Sequence, residues 1–150
     1  GFNYGAEKYS RVRQRYRYSV TLCTVIATIF FICFQFFPHQ IVGIFGNGSD
    51  LYFHFAEKYL RIFMLMTFAN GIQPMSACFF TSIGKARLGV IMSLTRQVLF
   101  LLPLIVIFPV FFGIDGVMYA GPIADTSAFV LAVVFARREL GVMKAAEQNA

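Results

Sequence analysis

Residues 62–84 read IFMLMTFANGIQPMSACFFTSIG, 23 positions without a formal charge. A bilayer crossing needs about 20 mainly apolar residues, so this run is long enough to span. Its middle is nevertheless polar and interrupted: Asn70-Gly71-Ile72-Gln73-Pro74. In hydrocarbon a helix must satisfy its own backbone, and proline breaks that rule locally because it has no N–H to offer the carbonyl four residues back, here Asn70. Asn70 and Gln73 share a helix face, three residues apart. Two readings are open. The amides bond a neighbouring helix across a bend at Pro74, or they line a solute pathway, as interrupted spans do in transporters.

Three further runs of the same kind exclude a soluble domain. Residues 18–37 carry no charge before Pro38, enough for about 30 Å of helix. Residues 88–112 hold one charge, Arg96, and a span over 117–135 holds one, Asp125. The chain is 58% hydrophobic with 13% charged residues, against about 25% charged in soluble domains. The expected fold is an all-α polytopic transmembrane bundle: a basic cytoplasmic segment over 1–17, four full spans within 18–138, and a polar tail over 139–150, read as a short surface helix or frayed end. Residues 39–50, with Gly43, Gly46, Asn47 and Gly48, read as an outer turn.

Charge placement orients the bundle. Eleven of the 13 Lys and Arg fall on one side: five before the first span, three around the loop at 84–96, three after the last span. That bias puts both ends of the chain at the cytoplasmic face of a plasma membrane. Arg17 belongs to that interface, and Arg96, close to the basic loop, is expected to snorkel to it. Lys58 and Arg61 are the two exceptions, each within reach of Glu57. The net charge of +6 then belongs to span ends, and no basic-aromatic motif points to nucleic acid.

Chemistry of other kinds finds no support. Cys23, Cys33 and Cys78 sit in apolar runs without a CxxC, so neither a metal nor a redox pair is indicated. His39 and His54 read as interfacial. No HExxH, Walker or dinucleotide motif occurs, no Ser-His-Asp arrangement is apparent, and the loops leave no room for a catalytic domain. The chain reads as no enzyme and needs no cofactor.

Asp125 is the sharpest single residue. An aspartate at a span centre costs about 2.5–3.5 kcal/mol on insertion scales, while one leucine returns only about 0.3–0.6. Gly121, Ala128, Ala132 and Ala136 follow one another on its helix face and form a seam that lets another helix approach. The carboxylate is therefore expected inside the bundle, either binding a cation or proton or pairing with a donor. Pro103 and Pro122 are expected to kink the third and fourth spans as Pro74 kinks the second, with Pro103 and Pro109 leaving the carbonyls of Leu99 and Ile105 unpaired.

Gly5-Ala6-Glu7-Lys8 is echoed by Gly84-Lys85-Ala86-Arg87, and Arg17 by Arg96 at the same offset, each before a long apolar run. Parallel repeats of this kind occur in transporters. Together with Asn3-Tyr4-Gly5-Ala6, Gly71-Ile72-Gln73-Pro74, Arg96-Gln97, Gly113-Ile114-Asp115-Gly116-Val117 and Gly121-Pro122-Ile123-Ala124-Asp125, these segments resemble the multidrug and toxic compound extrusion (MATE) transporters over essentially the whole chain. The resemblance implies the last third of a twelve-helix, two-lobe protein, from the end of the eighth helix through the twelfth. Gly1 in place of methionine agrees with a piece of something longer. It implies export of cationic or amphiphilic small molecules across the lipid bilayer in exchange for sodium ions or protons, together with the missing N-terminal lobe. An aspartate that some members carry in the tenth helix is Asn70 here, which puts the coupling ion in question. A flippase of lipid-linked sugars with a similar fold, or a non-transporting membrane scaffold, are the alternatives.

Overall fold

The computed structural model describes residues 1–46 and 48–148, and every regular element among them is helical. A single turn, α1 (Phe2–Gly5), leads through Glu7, in the left-handed region at φ 56°, into α2 (Tyr9–Phe36). Helix α2 has 28 residues, about 42 Å of rod, longer than a hydrocarbon core of about 30 Å. The basic segment is therefore not a separate arm. It is the first third of the helix, fastened because Val12 and Tyr16, four apart on one face, are buried in the core.

The expected outer turn is itself largely helical. Pro38 opens α3 (Pro38–Phe45), where its fixed φ suits a helix start and its missing N–H is not needed. Gly43 lies within this helix, whereas Asn47 lies outside the described residues. Helix α4 (Asp50–Phe63) begins at Ser49, whose Oγ accepts the Tyr52 N–H at 3.4 Å.

The second span breaks at Asn70–Gly71, one turn before Pro74. After α4 the chain passes through a 3-10 turn, Thr67–Ala69, before α5 (Ile72–Ser82), and the two halves are bent by 40°. Pro74 lies in the first turn of α5, where N–H groups have no intrahelical acceptor to lose. The bend thus falls one turn before Pro74, whose ring crowds the Asn70 carbonyl. Gly84, at φ 84°, reverses the chain after α5.

The third span is α6 (Ala86–Leu94), a π turn over Thr95–Leu101, and α7 (Leu102–Phe112). Pro103 sits at the start of α7 directly after the π turn, where the Leu102 N–H reaches back to Gln97 O. The wide turn absorbs the discontinuity that a proline brings to a regular helix. Gly113, at φ 61°, turns the chain into α8 (Ile114–Gln148).

Helix α8 has 35 residues, about 52 Å, and runs through Pro122 and past Arg137 and Arg138, where the sequence pattern places its end. The extension is helical because Ala132, Ala136, Glu139 and Met143 recur on one face and are buried. Ala132, Ala136 and Met143 belong to the same core as Val12 and Tyr16 of α2, Phe79 and Phe80 of α5, and Ile83 just after it. Three helices are long and apolar enough to cross a membrane, and the bent α4–α5 pair makes a fourth. Large apolar side chains such as Leu22, Ile29, Val106 and Phe111 face outward along these rods, as lipid-facing surfaces do. The chain is a polytopic helical membrane bundle with α8 at its centre, packed against α2, α4, α5, α6 and α7.

Candidate functional site

Asp125 is 5% exposed. It lies on the small-residue face of α8, between Gly121 and Ala128, both buried. A Cβ at Gly121 would stand 2.7 Å from the Phe63 ring, so only glycine lets α4 close down here. The closure seals the carboxylate inside, where charge is costly unless paired.

Two donors from irregular segments reach it. Asn70, immediately after the 3-10 turn, donates from Nδ2 to Oδ2 of Asp125 at 3.0 Å. Arg96, second residue of the π turn, donates from Nε to Oδ1 at 2.5 Å. A π turn inserts backbone and re-aims the side chains that follow, and such turns recur at functional sites. The break in one span and the wide turn in the next thus meet at one carboxylate. Arg96 does not extend alone to an interface: its side chain is one-third exposed, at 33%, and engaged with Asp125. A guanidinium inside the bundle is retained where a carboxylate neutralises it.

Gln73 goes elsewhere. It is buried and donates from Nε2 to the Met92 carbonyl at 2.7 Å, fastening α5 to α6 one turn before the π turn. Asn70 and Gln73 take different partners, because Asn70 lies in the break before α5 and Gln73 in its first turn. Beside Asn70, an open cavity of about 380 Å³ is lined by Cys23, Ala27, Phe30, Phe34, Thr67 and Gly71. Gly71 lies against α2 so closely that a Cβ would stand 2.9 Å from the Cys23 backbone.

Other polar links are absent from the sequence reading. Buried Tyr16 and Ser76 share a 2.7 Å hydroxyl hydrogen bond between α2 and α5. Lys85 Nζ lies 2.5 and 2.6 Å from the two oxygens of Glu139, joining the α5–α6 turn to the end of α8. Glu57 pairs with His39 at 2.7 Å rather than with Lys58 or Arg61, and Lys58 pairs with Asp115 at 3.6 Å. These partners are far apart in sequence or lie on different helices, so no spacing rule finds them. Arg17 is exposed on α2 and shares a surface cavity with Arg137 and Lys144 of α8. Among the described residues no cluster of three or more His, Cys, Asp or Glu has the geometry to hold a metal.

The sequence model of the MatE family matches residues 1–107. Among solved structures, the MATE multidrug transporter DinF-BH in complex with rhodamine 6G superposes with a TM-score of 0.87 at 34% identity, covering 95% of this chain and 32% of that one. A second solved chain, described as protein A, matches with the same TM-score, identity and coverage. No curated protein matches the chain. The chain thus spans about a third of the length of the solved chains it matches. The family model covers more than half of the chain and the superposition nearly all of it, and the chain belongs to the MATE family.

Proposed function

We propose that the protein carrying this chain exports cationic or amphiphilic compounds by alternating access, coupled to sodium ions or protons, and that this chain forms most of one lobe. The observation that carries the reading is the buried carboxylate of Asp125, shared between Arg96 of a π turn and Asn70 of a helix break. Asp125 is the acid at mid-span in this chain, and Asn70 supplies only a neutral amide. A sodium ion or proton that takes the carboxylate competes with Arg96 for it, so ion occupancy and the seating of two irregular segments are linked. The apolar cavity beside Asn70 gives an aromatic cation a surface next to that switch. A flippase for anionic sugar lipids is less well served, since the mid-span cation it would use is held by Asp125.

The test is efflux of the same rhodamine dye by the full-length protein in proteoliposomes under an imposed sodium or proton gradient. We expect Asp125→Asn to lower gradient-driven efflux about tenfold or more. Removing one partner of a buried pair also threatens folding, at about 3–5 kcal/mol. The double variant Arg96→Gln with Asp125→Asn removes both charges and keeps the shape. If the double variant restores both abundance and efflux, the pair is structural and the proposal fails. Abundance restored without efflux supports it.

A further inference from the structure

The basic end of the bundle holds a second site. Residues of α2 and α8 enclose an open cavity of about 580 Å³ lined by Arg13, Gln14, Arg17, Tyr18, Arg137 and Lys144. Four cations therefore face one space. Arg13 pairs with Glu147 at 2.5 Å, while among the described residues Arg17, Arg137 and Lys144 have no ion-pair partner. Three cations without an acid beside them, around one open space, are an environment that an anion with several oxygens satisfies.

The cavity does not stand alone. Gln14, Arg17 and Tyr18 line it from one face of α2. Three and four residues onward, Thr21, Thr24, Val25, Thr28 and Ile29 line an apolar groove of about 390 Å³ on that same face. A cluster of cations beside an apolar strip on the same helix face, at the junction between a basic cap and a long apolar rod, has the charge pattern of an anionic phospholipid. We propose that this site binds the phosphate headgroup of an anionic membrane lipid, with an acyl chain lying along α2. Juxtamembrane Lys and Arg clusters attract such lipids. The site is independent of the Asp125 reading, and its failure leaves that reading untouched.

The experiment is native mass spectrometry of the full-length protein after delipidation, with phosphatidylglycerol, phosphatidylcholine or inorganic phosphate added back. Phosphatidylglycerol is expected to be retained in preference to phosphatidylcholine. The double variant Arg17→Gln with Arg137→Gln, both exposed positions, is expected to weaken that retention roughly 30-fold without changing the melting temperature. Thr21→Trp, which fills the groove, is expected to weaken it while sparing the cations. Equal retention of the two lipids overturns the proposal. So does retention unchanged by the double variant, which would mean that a helix of the same protein fills the cavity. Displacement of phosphatidylglycerol by inorganic phosphate alone, with Thr21→Trp silent, makes the occupant a free phosphate and overturns the lipid assignment.

Discussion

Two carboxylates on α8 are held by cations from the neighbouring span or its leading turn, and they are held differently. Glu139 is buried at the end of the bundle and gives both oxygens to one ammonium, that of Lys85. Asp125 is buried at its middle and divides its oxygens between a guanidinium and a neutral amide. Burial is similar, with side chains 9% and 5% exposed, and the cations are 37% and 33% exposed. The difference lies in what carries the donors. Lys85 stands in a tight turn fixed by Gly84, whereas Asn70 and Arg96 sit at a helix break and in a π turn. Both of those segments depart from the regular α-helix. On the proposed function the first pair is a clamp and the second an exchangeable contact.

The largest expected effect separates the two pairs. Asp125→Asn should depress gradient-driven rhodamine efflux about tenfold or more, whereas Glu139→Gln should leave efflux per folded molecule within about twofold. Equal loss of efflux from both variants breaks the distinction. Next comes Gly121→Leu, which drives a side chain into the Phe63 ring; overpacking of this kind costs about 1–3 kcal/mol, read as a lower melting temperature in detergent. A smaller cost, about 1–2 kcal/mol, is expected for Glu139→Gln, because its Lys85 partner is partly solvated. An unaltered melt would mean that the clamp does not hold α8. Least of all is expected from Lys58→Ala. Its 3.6 Å pairing with Asp115 is half exposed on both sides and should contribute under about 1 kcal/mol to the same melt.

Much of the bundle was legible because lipid imposes a simple rule. Any segment crossing hydrocarbon must be long, apolar and internally bonded, so four uncharged or singly charged runs announce themselves. The seam at Gly121, Ala128, Ala132 and Ala136 was legible for a related reason: small residues at helical spacing have one use, close approach. The irregular turns, Thr67–Ala69 and Thr95–Leu101, were not. Proline marks a break without choosing the geometry of the turn beside it. Nor was the true length of α2 and α8, since their polar ends are helical through contacts made by Val12, Tyr16, Glu139 and Met143 with distant segments.

The amino-acid sequence by itself determined the solvent this protein folds in, the number of its spans and the need for Asp125 to be paired, because the energies of placing charge and open backbone in hydrocarbon depend on residue type alone. Which groups answer that need was decided by the tertiary structure. Arg96 and Asn70 reach Asp125 through a π turn and a helix break, and Gln73, three residues from Asn70, is taken by a carbonyl on α6. Deviations from the regular helix re-aim side chains by a fraction of a turn. Their positions depend on how whole helices pack, which no single stretch of sequence encodes.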